Sequence, residues 1–107
     1  MDISFEAGGG KFNYRVCAVI IKDKKILAMT DERSPYYYLP GGRVKFGETA
    51  ENAVLRELYE EVGISAKINR PLWINQAFFT EETGNTEYHE LCIYFLVDIK
   101  GEELTDK

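Results

Sequence analysis

Histidine, cysteine and proline are scarce in this chain, at one, two and three among 107 residues. A single histidine, His89, excludes a multi-histidine metal site and argues against a histidine-based catalytic triad. Cys17 and Cys92 each sit inside an apolar run and form no Cys-x-x-Cys motif, so both read as free, buried thiols of a cytosolic protein. No apolar run approaches the ~20 residues that a membrane span needs. The start, Met1 to Glu6, has neither a basic n-region nor an apolar h-region, so no signal peptide is expected and the expected location is cytoplasmic. Positive charge is also short: 13 basic against 18 acidic residues leave a net charge of −5. That balance disfavours non-specific binding to nucleic acid and to anionic membranes. It allows small anionic substrates, provided that cations mediate. Internal repeats, low-complexity tracts and linkers are missing as well, which leaves residues 1–107 as one domain.

Hydrophobic residues make up 45% of the chain and aromatics 13%, a composition that argues against disorder. A chain of this size can bury roughly 65% of its unfolded surface. Gly8-Gly9-Gly10 reads as a flexible lead-in. Tyr14 to Ile21 reads as a strand, Asp23-Lys24 as a turn and Lys25 to Thr30 as the hairpin partner. Tyr36 to Leu39 is a short aromatic strand stopped by Pro40-Gly41-Gly42. Thr49 to Val62 has helical period, with Thr49 as N-cap and Gly63 just beyond the end. Ala66 to Ile68 and Leu72 to Thr80 look extended, and Glu81 to Glu87 forms a polar turn. Leu91 to Val97 reads as a central strand covered on both faces. Strands on either side of one helix make the class α+β with a mixed sheet.

The helix carries three carboxylates close together. At ~100° per residue, Glu57, Glu60 and Glu61 fall on one side, next to the packing face of Val54, Leu55, Leu58 and Val62. Residues three and four apart are near enough to repel one another. Glu60 and Glu61 also lie in the last turn, where the helix dipole disfavours negative charge. Ala50 and Ala53 share that side and are expected to leave room for an approaching group. Clustered carboxylate oxygens without histidine or thiolate suit a hard cation, Mg²⁺ or Mn²⁺. Ahead of the helix, Pro40-Gly41-Gly42 can bring backbone groups close to a ligand, and Arg43 and Lys45 supply positive charge suited to phosphate oxygens.

Together these residues resemble the Nudix hydrolases, whose signature is Gly-x5-Glu-x7-Arg-Glu-U-x-Glu-Glu-x-Gly-U, with U a bulky aliphatic. Gly42, Glu48, Arg56, Glu57, Leu58, Glu60, Glu61, Gly63 and Ile64 match every position at the right spacing. The resemblance implies a Nudix-type α/β/α sandwich that spans nearly the whole chain. It also implies a Mg²⁺-dependent hydrolase that cleaves a pyrophosphate bond in a nucleoside diphosphate joined to another moiety, by water attack on phosphorus. By the same resemblance, Glu60 and Glu61 match the main metal ligands, Glu57 a ligand or general base, and the Gly41 carbonyl a backbone ligand. Arg56 matches an arginine that orients the glutamates, Glu48 its salt-bridge partner, and Gly42 and Gly63 backbone positions. Members often add a carboxylate from outside the helix. Glu90 is the candidate here, with Glu81, Glu82 and Glu87 in the preceding turn as alternatives. Arg33, Arg43, Tyr36, Tyr37, Tyr38, Phe78 and Phe79 are candidates for contact with the nucleotide substrate, since aromatic rings stack on bases. Successive tyrosines of an extended segment alternate faces, so the three cannot all line one pocket.

Two departures matter. Members that prefer ADP-ribose tend to carry a proline downstream of the signature, and Gln76 to Thr80 has none. The family fold also continues past the strand matched by Leu91 to Ile99, usually into a C-terminal helix that is apparently absent here. One helix covers one side of a sheet, which leaves ~500 Å² of apolar surface worth about 12 kcal/mol at 25 cal/mol per Å². The expectation is that a second copy covers that face, making a homodimer, or that the native protein is longer. A competing reading is a Nudix-fold module that binds a nucleotide without turning it over.

Overall fold

Gly8 and Gly9, expected to be a loose lead-in, instead close a hairpin. In the computed structural model, which describes residues 1–31 and 34–99, they take φ of 57° and 85° between β1 (Ser4–Ala7) and β2 (Gly10–Val19). Ala7 stands opposite Gly10, so the loop has two residues. Two-residue loops with positive φ at both positions match the right-handed twist of the flanking strands, and glycine adopts them without a side-chain clash. The strand expected from Tyr14 therefore begins at Gly10, as β2, four residues before the apolar run that announced it, and β1 precedes it.

Asp23 and Lys24 make the second tight turn, between β3 (Ile21–Lys22) and β4 (Lys25–Ile26). The expected partner, Lys25 to Thr30, pairs only over its first two residues. Met29–Asp31 (β5) turns away to pair with Ser34–Tyr38 (β6). Then follow β7 (Gly41–Arg43), the helix α1 (Ala50–Val62), β8 (Ala66–Thr80) and β9 (Glu87–Ile99). The two expected extended segments after the helix are one strand, β8, with register shifts at Ile68/Arg70 and Pro71/Trp73. Proline has no N–H to give to a ladder, which places an irregularity there.

The main sheet runs β1-β2-β9-β8, with β7 also on β2. β2 and β9 are parallel and the other pairs antiparallel, as a mixed sheet requires. β1 and β7 share one edge of β2 end to end: β1 pairs Gly10 to Asn13, and β7 pairs Arg15 to Cys17. β9 is an interior strand, as expected, but only Cys92, Phe95 and Val97 of it are buried, so it is not covered along both faces.

Thr49 caps the helix by accepting the Asn52 N–H at 3.1 Å, and Gly63 ends it at φ 71° with its N–H on the Tyr59 carbonyl. The helix buries Ala53, Val54 and Leu58 against Val16, Ala18, Ile20, Phe95 and Val97. Ala53 thus belongs to the core, not to an open side of the carboxylate face, because the helix lies along β7 and β2 closely enough to cover it. Strand alternation puts Tyr14, Val16 and Ala18 on the helix-bearing face and Asn13, Arg15 and Cys17 on the other.

Among the described residues α1 is the one helix, so the sheet has helical cover on a single face. Beyond its reach, Phe5, Phe12, His89 and Phe78 form a cross-strand row on the helix-bearing face, with ring centroids 5.3, 5.6 and 4.3 Å apart in succession. Phe5, Ile74 and Phe78 are more than half exposed. β1 extends the sheet sideways and does not fold over this surface. Among the described residues no helix is long and apolar enough to cross a membrane.

Candidate active site

The approach of helix to strand rests on Gly41 and Gly42. A Cβ on Gly41 would stand 2.1 Å from the Val16 carbonyl oxygen, so the β2–β7 ladder closes only around glycine. A Cβ on Gly42 would fall 2.4 Å from the Glu57 carboxyl carbon. The room expected from alanines on the helix therefore comes from a glycine on the strand, and Glu57 occupies it.

Arg56 organises the rest. Its Nε and one terminal nitrogen donate to the two oxygens of Glu48 at 2.7 and 3.0 Å. The same terminal nitrogen reaches the Arg43 carbonyl at 3.0 Å. The other terminal nitrogen donates to Glu57 Oε2 at 2.9 Å and Glu60 Oε1 at 3.1 Å. One guanidinium thus ties the loop before the helix, strand β7 and two helical carboxylates into one unit. The Arg56 hydrogen bond holds the Glu48 carboxyl below the usual carboxylate range, and the Lys45 N–H adds to this at 3.0 Å.

Glu61 points elsewhere. Its Oε1 accepts the Gly41 N–H at 2.9 Å. Desolvation against the strand pushes its carboxyl above the usual range, Glu57 and Glu60 push the same way, and the Gly41 N–H and Arg15 oppose. Glu57 and Glu61 thus lie against β7 and Glu60 lies on Arg56, and among the described residues no group of three His, Cys, Asp or Glu side chains is placed to hold a metal ion.

Next to Glu61 the helix-free face of the sheet forms a cleft of about 460 Å³, lined by Arg15, Cys17, Asn75, Glu90, Cys92 and Tyr94 among others. Glu90 is half-buried there, and its Oε2 accepts from Asn13 Nδ2 at 3.0 Å. Asn13, 1% exposed, accepts in turn from the Ser4 hydroxyl. Glu90 is therefore a fixed cleft carboxylate, but it makes no contact with the helical glutamates. Cys92 is buried and Cys17 only half-buried, and both are free. The Cys92 thiol donates to Cys17 at 3.4 Å, which lowers the Cys17 pKa and raises that of Cys92. Burial pushes the Tyr94 hydroxyl up to about 12.

The other candidates scatter. Phe78 stands in the aromatic row on the opposite face from this cleft, because its register partner is His89 and not Glu90. Phe79 stacks on Tyr88 at 5.1 Å. Glu81 accepts the Tyr88 hydroxyl at 3.2 Å, which gives it a local structural partner. Arg33 lies outside the described residues, as do the side chains of Tyr36, Tyr37 and Tyr38. Sequence reasoning missed Arg15, Asn13 and Asn75. The signal for Arg15 was available: it is the one charge inside the apolar run of β2.

Comparison with known proteins places these features in context. The NUDIX domain profile matches residues 11–107. The ADP-ribose pyrophosphatase of Methanocaldococcus jannaschii is 37% identical over 92 residues, covering 83% of this chain and 52% of its own. The putative 8-oxo-dGTP diphosphatase of Bacillus subtilis is 38% identical over 58 residues, covering 54% of this chain and 39% of its own. Among solved structures, the MutT NUDIX hydrolase of Burkholderia pseudomallei superposes with a TM-score of 0.61 at 27% identity, covering 81% of this chain and 67% of that one. The chain thus spans about half the length of the archaeal relative, and less of the Bacillus one.

Proposed function

The chain belongs to the NUDIX family, and from that membership we propose that it is a metal-dependent hydrolase. In this reading it cleaves a pyrophosphate bond in a nucleoside diphosphate joined to another moiety, by attack of water on phosphorus. The observation that carries the reading is the Arg56 assembly, which holds Glu48, Glu57 and Glu60 while Glu61 is held separately on Gly41.

Divalent metal ions accompany Nudix hydrolysis generally, and oxygen donors of this kind suit a hard cation. Three carboxylates lie on adjacent turns without histidine or thiolate, Arg56 offsets the charge of two, and Glu57 occupies the space of a missing Cβ. Glu57, Glu60 and Glu61, with the Gly41 carbonyl, are the proposed holders of Mg²⁺, or Mn²⁺ in its place. When bound, such an ion neutralises phosphate charge and lowers the pKa of a coordinated water. Arg56 orients the glutamates and does not touch substrate. It occupies Glu57 Oε2, which leaves Oε1 to take a proton from the attacking water. Glu90 closes the cleft as a second, fixed carboxylate. Positioning and charge neutralisation are most of what phosphoryl transfer asks of a protein.

The names of the relatives supply two substrates to test, ADP-ribose and 8-oxo-dGTP. Identity over most of the chain favours the first, and the lack of proline in Gln76 to Thr80 counts against it without selecting among the other nucleotides. Release of phosphate, pyrophosphate or nucleoside monophosphate from a nucleotide panel, with Mg²⁺ and with EDTA, tests the proposal. Metal-dependent release supports it. Nucleotide binding with no release from any substrate overturns it in favour of a binding module. Cytoplasmic location, indifference to nucleic acid and membranes, and homodimerisation over the exposed Phe5, Ile74 and Phe78 belong to the same proposal. Light scattering that finds a monomer over a wide concentration range refutes the dimer.

A further inference from the structure

Cys17 and Cys92 are the chain's two cysteines, and both thiols are free. They are 75 positions apart, yet their sulfurs stand 3.4 Å from each other. Both line the cleft on the helix-free face, Cys17 half-buried and Cys92 only 7% exposed. Arg15, the register partner of Cys92, lines the same cleft within electrostatic reach of both sulfurs. Tyr94, the register partner of Cys17, brings its hydroxyl within hydrogen-bond range of the pair. The proposed hydrolysis uses neither thiol. A partly exposed sulfur beside a cation, with a second sulfur in contact, is the setting in which thiol oxidation is site-selective.

The two cysteines are diagonal neighbours and do not face each other, since Cys17 pairs with Tyr94 and Cys92 with Arg15. Diagonal neighbours on adjacent strands stand roughly 7–8 Å apart, and a disulfide holds its two Cα atoms at about 4.4–6.8 Å. A bond between them therefore needs β2 and β9 to shift. On its other side Cys17 stands opposite Gly41, so closely that a Cβ on Gly41 would fall 2.9 Å from the Cys17 Cα. The Gly41 N–H in turn holds Glu61. Closing the bond thus pulls on the strand that anchors a helical carboxylate. Strained disulfides are also the ones that thiols reduce readily, as a regulatory bond requires.

We propose that Cys17 and Cys92 are a redox modification site, closed to a disulfide by a peroxide and reopened by a small thiol, and that closure lowers turnover at the neighbouring carboxylates. The Cys17 sulfur attacks the peroxide: an S–O bond forms, the O–O bond breaks, and the Cys17 proton leaves with the departing oxygen as water or alcohol. The Cys92 sulfur then attacks the sulfenic acid: the S–S bond forms, the S–O bond breaks, and the hydroxyl leaves with the Cys92 proton as water. Two electrons pass from the sulfur pair to the peroxide, and two molecules of a thiol such as glutathione return them through a mixed disulfide. The bond is independent of the hydrolase reading, and only its effect on turnover rests on it.

The test treats the full chain with hydrogen peroxide, counts thiols by alkylation after denaturation, and reads the linkage from a digest and a non-reducing gel. The expected result is loss of both alkylatable thiols in a monomer, a Cys17–Cys92 linked peptide pair, and recovery of both thiols with glutathione. Cys92→Ser is expected to stop at a Cys17 sulfenic acid trapped by dimedone, and Cys17→Ser to stay unreactive over the same time. Two thiols still alkylatable in the native chain, or a bond between chains only, overturns the site. Turnover of the native chain on the substrate that the panel identifies is expected to fall by about 10-fold or more on oxidation, as displacement of a reacting group implies, and to return with glutathione. Cys17→Ser, compared with itself, is expected to turn over equally before and after peroxide. A bond that forms without changing turnover overturns the switch. If the bond forms in a chain that hydrolyses nothing, the hydrolase reading falls and the redox site stands. If the chain hydrolyses a nucleotide and both thiols survive peroxide, the redox site falls and the hydrolase reading stands.

Discussion

Replacing Arg56 with lysine keeps the charge and removes the fork, which makes it the sharpest test of the orienting role. The guanidinium has five N–H donors, and the structure supplies an acceptor for each: two oxygens of Glu48, one each of Glu57 and Glu60, and the Arg43 carbonyl. An ammonium has three donors on a single nitrogen, so at least two of these bonds are lost. The Glu60 bond counts for little, since that side chain is 53% exposed. The Glu48 and Arg43 bonds are better shielded, with Glu48 at 17% and Arg56 at 21% exposure. Discounting for solvent, the loss is about 1–3 kcal/mol, which for a domain of this size lowers the melting temperature by roughly 5–15 °C. Catalysis loses more. Glu57 and Glu60 lose their common anchor, and a displacement of about 1 Å at a reacting group can cost ~100-fold in rate. The expected variant is folded at room temperature, with kcat down about 100-fold and KM little changed, measured by thermal melt and steady-state kinetics on the substrate that the panel identifies. A variant that melts lower but keeps kcat within a few-fold would make Arg56 a structural brace and refute the orienting role.

Gly42→Ala is expected to displace the Glu57 carboxylate, the mobile end of a side chain, and so to abolish activity at a melting temperature close to native; Gly41→Ala meets the Val16 carbonyl and is expected to unfold the β2–β7 edge, both read by circular dichroism and turnover. Glu61→Gln is expected to end turnover and to raise the metal-free melting temperature at neutral pH, because it removes one of three crowded charges. The pH dependence follows from the same group: Glu61 is raised, so the stability from its proton is fully present below the ordinary carboxylate range and lost as pH rises through its higher folded value. Glu48 is lowered, so its contribution is present above the ordinary range and lost as pH falls through its lower folded value. Melts of the metal-free native chain against pH should show both slopes, and Glu61→Gln should remove only the first. Gly9→Val, at φ 85°, is expected to destabilise the first hairpin by about 1–2 kcal/mol by chemical denaturation, without changing kcat.

The helical half of the site was legible because its residues are tied by local spacing. Glu48 and Arg56 are eight positions apart, and Arg56 and Glu60 four, so a helix with a capped start fixes their relation before any tertiary contact forms. The β-sheet half was not. Asn13 and Glu90 are 77 positions apart and meet only because β2 and β9 are parallel, and Cys17 meets Cys92 across 75 positions for the same reason. Nothing in local composition sets that register. Ala53 failed for a related reason: helical angle says which residues share a side, but the strand lying against that side decides whether it is open.

Arg56 is where the two halves meet. Its carboxylate partners are readable from spacing, while its bond to the Arg43 carbonyl exists only because β7 lies on β2. That bond places the helical glutamates in fixed relation to the cleft face, although no helical residue belongs to the sheet. A short signature can therefore carry the reactive group on its own, and the neighbouring strand decides what reaches it. The glutamates and their arginine are set by the loop and helix from Gly41 to Ile64. The cleft residues Arg15, Asn75 and Glu90 come from strands β2, β8 and β9 outside it. Substitution at Asn75 should thus alter preference among nucleotides while leaving the Arg56 assembly, and hence the chemistry, intact.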